Sequence, residues 1–206
     1  MVRPARWRLI TPLVHVRGYA ASETKAAAEQ ARLLIEQAEA LGEPLEDKLL
    51  LFSVLYGVFV PTHAAFSRDV CCNLAAHVLA LAEKQRASFP LVLGNNFLGS
   101  ALLLAGEFSE ARAHLDQAIA LYDPVEHRHL ATRFGEDQRI INLAYFRSTA
   151  LWVLGYPEAA LADIDQAYDE ARQSGQAAFF GIGTHWLILC RRHLLRELRE
   201  GQCSNR

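Results

Sequence analysis

Apolar residues along this chain fall at helical spacing. Over 23–41 (ETKAAAEQARLLIEQAEAL), Ala27, Ala31, Leu34, Ala38 and Leu41 recur every three or four positions with acids and glutamines between them, which predicts an amphipathic helix. Ser22 is placed to cap its start, and Gly42 and Pro44 to stop it. Residues 46–60 are apolar nearly all round, so a second helix with neighbours on several sides is expected there, broken by 61–64. Further helices are predicted over 67–85, 91–105, 109–122, 137–154, 157–174 and 176–200. Gly106 and Gly155 punctuate them, and the polar stretch 123–135, which contains Pro124, reads as a long loop or irregular insert. No segment alternates with period two for long enough to argue for a sheet, so the expected class is all-α.

The pattern repeats. Leu98, Gly99, Leu102, Gly106, Phe108, Ala111, Leu115 and Ala118 have the spacing of a tetratricopeptide (TPR) unit: small residues where two helices cross, a glycine in the turn, then Ala, Leu and Ala down the second helix. Antiparallel helices approach closely only where Gly or Ala occupies the crossing. A second copy matches in Ser148, Leu151, Gly155, Ala160, Ile164 and Ala167, with Pro157 opening its second helix. Gly155 lies 49 residues after Gly106, against a period of about 34 for the motif. The 123–135 insert accounts for most of the excess. A weaker third copy lies over Gly57, Ala75, Leu79 and Ala82 if 61–66 forms a longer turn. The expected architecture is antiparallel helix pairs stacked as a TPR-like right-handed superhelix, an α–α solenoid, over 23–190. Residues 1–22 form an ill-defined leading segment and 191–206 a basic helix end and tail.

The stretches GYAASETKAAAEQARLLIEQAEALGEPLED, LLLFSVLYG, ARAHLDQAIALYDPVEHRHLATRFGED and ALWVLGYPEAALADIDQA carry a family resemblance. They resemble the TPR-like region of large bacterial predicted ATPases, over about 14–178, with ALYDPVEHRHLATRFG the most specific part. In that family the region follows an AAA-type ATPase module, often preceded by an adenylate or guanylate cyclase domain or a DNA-binding domain. The resemblance implies a regulatory or scaffolding segment only, because no glycine here begins the G-x-x-x-x-G-K-[ST] loop that cradles phosphates. The expected function is therefore a non-catalytic protein-interaction scaffold, a piece of a larger signalling ATPase. The alternative is an accessory part of a nucleotide cyclase or ATP-dependent transcriptional regulator whose catalytic domains sit on another chain.

Composition narrows the chemistry. The 206 residues are 51% hydrophobic and 21% charged with a formal net charge of −2, so no global field draws in nucleic acid or an anionic membrane. The longest apolar run, 49–60, is too short to span a bilayer. The first eighteen residues carry Arg3, Arg6, Arg8 and Arg17, but Pro12 and His15 interrupt the apolar stretch that a signal peptide needs. Cys71, Cys72, Cys190 and Cys203 are too sparse for a disulfide scaffold, which points to a reducing, cytoplasmic setting.

Candidate sites follow from residue type. His127 and His129, or Cys190 and His193 with His185 a turn and a half earlier, could hold a metal only if further ligands converged. Nearby arginines argue against a cation at both, and a solvated or interface loop is the simpler reading of the first. Ser53, Ser100, Ser148 and Cys72 lie on predicted helices without a nucleophile elbow. The arginines at 191, 192, 196 and 199 are offset by Glu197 and Glu200 and lack interleaved aromatics, which weighs against direct nucleic-acid binding. No catalytic residue, cofactor or metal is therefore assigned. Aligning the copies on their turn glycines puts Asn96, Ser100, Leu103, Tyr145, Thr149 and Trp152 on the concave face, where aromatic anchors and an amide suit a protein or peptide partner. The uncovered repeat edges are also expected to favour self-association.

Overall fold

The computed structural model describes residues 49–134 and 137–174, together with Leu33. The helices expected at 23–41 and 176–200, Cys190, His193 and the arginines beyond lie outside that set. Among the described residues every regular element is helical. The order is α1 (Leu50–Ala64), α2 (Arg68–Gln85), α3 (Ser88–Ala105), α4 (Phe108–Leu121), the single turn α5 (Pro124–His127), a 3-10 turn (Arg128–Thr132), α6 (Gln138–Ile141), a π-helical stretch (Asn142–Arg147), α7 (Ser148–Val153) and α8 (Pro157–Ser174). From α6 to α7 the chain is one uninterrupted rod.

Helices adjacent in sequence pack on each other, as short turns require: α1 with α2, α2 with α3, α3 with α4, and the α6–α7 rod with α8. α4 also rests on the π stretch and α7, which joins the second pair to the third. The expected small residues sit at these crossings. A Cβ on Gly94 would come 2.7 Å from Leu79 Cδ2, and one on Gly99 would come 2.6 Å from Leu115 Cγ. Ala75, Ala82, Ala111, Ala118, Ala160 and Ala167 are likewise buried.

Turn chemistry differs between pairs. Gly106 and Gly155 take φ of 81° and 86°, the left-handed region that glycine enters without penalty. Phe66 and Arg86 turn the chain at φ of 56° and 51°, where a side chain costs about 1–2 kcal/mol.

Three sequence expectations need correction. The break placed at 61–64 is absent: α1 runs through Pro61 to Ala64. Pro61 stands in the last turn, so only one ladder bond is lost, and the buried ring adds apolar contact while Thr62 Oγ1 donates to Val58 O at 2.7 Å. The fourth helix starts at Ser88 rather than 91, with Pro90 inside its first turn, where a missing N–H costs nothing.

The third correction concerns the insert. Residues 123–134, read as a long loop or irregular insert, hold short helical turns, and although most of them are exposed, Leu130 and Phe134 pack into the core rather than standing in solvent. Asp123 caps α5 by accepting from Val125 N–H at 2.8 Å. Leu130 and fully buried Phe134 join the core of α1, α2 and α3, where the Phe134 ring meets Tyr56 edge-on at 5.7 Å and Phe89 at 4.8 Å. Arg133 Nε donates to Ser53 Oγ at 2.6 Å, tying the segment to a helix 80 residues earlier.

Candidate functional site

Where α3, α4 and the rod meet, the interior is polar. Asn96 Nδ2 donates to Gln138 O at 3.0 Å, Asn142 Nδ2 donates to Asn96 Oδ1 at 2.7 Å, and the same nitrogen reaches Leu115 O at 2.9 Å. Tyr122 donates its hydroxyl to Asp137 Oδ2 at 2.6 Å, while Asp137 Oδ1 caps α6 by accepting from Arg139 N–H. Burial, and then this bond to Asp137, hold the Tyr122 hydroxyl well above its usual range. Asn95 accepts at Oδ1 from His114 at 2.9 Å across the α3–α4 pair. Arg147 lies between two acids, Nε toward Asp116 and Nη1 toward Asp163 at 2.6 Å. Burial raises the Asp163 carboxyl above its ordinary pKa despite that guanidinium, and its Oδ2 has no partner.

Arg147 is the last residue of the π stretch. Five residues per bond instead of four widen the rod just before Ser148 and Thr149. Their hydroxyls donate back to the carbonyls of Ala144 and Tyr145, acceptors within the widened turn.

His127 carries the chemistry that most resembles an active site. Its Nε2 is 3.0 Å from Ser88 Oγ, and its Nδ1 accepts from the Asp123 N–H at 3.0 Å. An accepting Nδ1 puts the proton of the neutral ring on Nε2, which therefore donates to Ser88 Oγ and cannot take its proton. Burial pulls the imidazole below its usual pKa, and the rings of Phe89 and Tyr122 each stand edge-on at 5.4 Å. The geometry gives a structural tie between the insert and α3. His129, the other half of the H-x-H pair, is exposed, and among the described residues no three His, Cys, Asp or Glu side chains converge on a metal position. Ser88 was missed because the sequence reading starts this helix at 91, which leaves Ser88 ahead of it.

A second histidine, His63, closes α1 over the rod. Its Nε2 lies 3.4 Å from Ser100 O and its ring meets Phe146 edge-on at 5.8 Å, while one turn back Phe59 stacks flat on Phe97 at 3.7 Å. Burial lowers its pKa, opposed by the Ser100 carbonyl. On α2, burial and then neighbouring Cys72 push the Cys71 thiol up to about 11, which makes it a poor nucleophile at neutral pH.

No family model, curated protein or solved structure matches this chain. The molecule's own surface is what distinguishes one face from another. Of the six residues expected to line a groove, Asn96 and Ser100 are 2% and 1% exposed. Asn96 is spent on Gln138 and Asn142, and Ser100 Oγ on Phe97 O at 3.0 Å, so neither amide nor hydroxyl faces a ligand. Leu103, Tyr145 and Thr149 are half-buried, and Trp152 is 39% exposed. Beside Trp152 stand Val153 and Tyr156, each 51% exposed, with the Arg112 guanidinium 5.1 Å from the Tyr156 ring centre. Val153 and Tyr156 were missed because they fall in and beside the turn, outside the helical spacing used to find the groove.

Among the described residues one helix, Ser88–Ala105, is long and apolar enough to cross a membrane by length and composition. Most of it is buried between α2 and α4, which accounts for its hydropathy.

Proposed function

We propose that this chain is a non-catalytic scaffold of TPR-like helix pairs that docks a protein partner. The observation that carries the reading is the edge formed by Trp152, Val153 and Tyr156: two aromatics and a valine within five residues, exposed at the end of the rod and in the turn after it, while the rod's opposite side is keyed into the core. Aromatic side chains lose little rotamer freedom on binding and supply large contact areas, and Arg112 beside Tyr156 adds a polar rim. Pair-by-pair packing in chain order supports a solenoid arrangement, and the repeated Gly-to-Ala spacing supports the TPR likeness. A place beside an ATPase or cyclase module in the cytoplasm is the setting that the sequence resemblance suggests.

The test is affinity capture with the purified chain, comparing the wild type with Val153→Asp and Tyr156→Ala by quantitative mass spectrometry, with thermal unfolding in parallel. Retained protein should fall several-fold for both variants while stability changes by less than about 0.5 kcal/mol, as for other surface substitutions. Unchanged capture by both would remove this edge as the docking site.

A further inference from the structure

Of residues 123–129, His127 alone is buried, at 3% exposure, while the side chains around it face solvent. The hydrogen bonds of this turn close on the turn itself: Asp123 O takes the His127 N–H at 2.8 Å, and Asp123 Oδ1 takes the Val125 N–H. The bond that leaves it runs from His127 Nε2 to Ser88 Oγ on α3, and the imidazole packs on the buried rings of Phe89 and Tyr122. The far end of the insert is fastened differently, by Leu130 and Phe134 in the core and by Arg133 Nε on Ser53 Oγ. Apolar burial, which pH does not touch, therefore holds one end, and a single titratable ring holds the other.

We propose that residues 123–129 are an acid-released strap: when His127 takes a second proton from solvent, the strap swings off Phe89 and Tyr122 and stays hinged at Leu130. The neutral ring uses both nitrogens, accepting from the Asp123 N–H at Nδ1 and donating to Ser88 at Nε2. The added proton lands on Nδ1 and sets a donor against the Asp123 N–H. In the closed form that amide then loses its acceptor and the ring carries a charge in a buried seat, and opening to water relieves both. Burial already holds the ring below its ordinary value of 6.5; Glu126, Asp123 and Asp137 oppose that effect and His129 adds to it. Ser88, Phe89 and Tyr122, which face the ring from α3 and from the end of α4, bring no charge at neutral or acid pH. Opening uncovers two aromatic rings beside the α3–α4 pair while the rest of the fold stays closed. The strap is separate from the docking edge at Trp152 and Tyr156, and neither reading depends on the other.

The experiment follows backbone amide exchange by mass spectrometry in the full-length chain from pH 7.5 to 5, with rates corrected for intrinsic chemistry. Opening over 122–129 should increase about tenfold for each pH unit below 6.5 until the closed form itself takes up the proton, while peptides of α8 stay within about twofold. His127→Gln supplies one acceptor and one donor without titrating, so the acid response should vanish in that variant. An acid response of the same size in the variant, no response in the wild type, or an equal response over α8 would each overturn the proposal. If glutamine leaves the strap open at pH 7.5, long-range 1H–15N spectra of the wild-type ring decide. A proton on Nε2 alone at pH 7.5, and a titration midpoint that coincides with opening, are expected. A proton on Nδ1 at that pH, or a midpoint apart from opening, overturns the strap.

Discussion

The second and third helix pairs share one spacing and solve the same packing problem differently. In the α3–α4 pair the crossing is made by Gly99 pressed on Leu115, with no room for a Cβ unless leucine moves. In the third pair the counterpart of Gly99 is Ser148, buried at 4% exposure with its hydroxyl turned back onto Ala144 O, and the counterpart of Leu115 is Ile164. The π stretch immediately ahead of Ser148 widens the rod, and the serine uses that room. Repeat spacing therefore fixes where two helices cross, while the residue at the crossing follows from the local shape of the backbone.

The largest effect is expected where the second pair borrows from the insert. Phe134→Ala should cost about 3–5 kcal/mol in urea-induced unfolding, because a fully buried ring is lost from the core shared by α1, α2 and α3. A cost below about 1 kcal/mol would return the segment to the status of a surface loop. Next comes the joint between the pairs. Asn142→Ala leaves Asn96 Oδ1 and Leu115 O without their donor and should cost about 1–3 kcal/mol, whereas replacing both Asn96 and Asn142 by Leu should recover part of that loss. Additive losses in that cycle would show that the two amides do not act as a unit.

The crossings themselves give a smaller, comparative prediction. Gly99→Ala should destabilise by about 1–2 kcal/mol, the gain in helix propensity being outweighed by the clash with Leu115. Ser148→Ala in the third pair should stay within about 1 kcal/mol, since its hydroxyl bonds only within its own helix. Equal costs at the two sites would erase the contrast drawn between the pairs.

Acid is the gentlest probe. His127 and His63 are held neutral with pKa values below 6.5, so the unfolded chain binds more protons than the folded one as pH falls through that range. Their stabilising contribution is complete above 6.5 and is lost progressively below it. Asp163 has the opposite sign: its raised pKa makes the ionised form a cost that protonation relieves as the pH falls. Unfolding midpoints measured from pH 7.5 to 4 should therefore fall first, and the fall should be shallower in His127→Gln.

Much of the helical framework was legible in the chain. The helices expected between 67 and 174 appear within a few residues of their expected ends, because caps, turn glycines and apolar stripes are local signals. The insert was not legible, since Leu130 and Phe134 sit among charges and only contact with Tyr56, far away in sequence, decides that they are core. Pro61 misled for a related reason, as its cost depends on how few helical residues follow it. Asn96 and Ser100 pointed toward a ligand because polar residues on a first helix suggest one. What the sequence could not show is that the next rod arrives there first.

The amide contacts between α3 and the rod have a mechanical consequence. Stacked helix pairs joined by apolar surfaces alone can slip or splay with little penalty, and each pair can unfold nearly on its own. A joint in which Asn142 grips both a side-chain oxygen and a backbone carbonyl works as a key in a slot, because a displacement of one residue would strand every group in it. Under tension or denaturant, the second and third pairs should give way together.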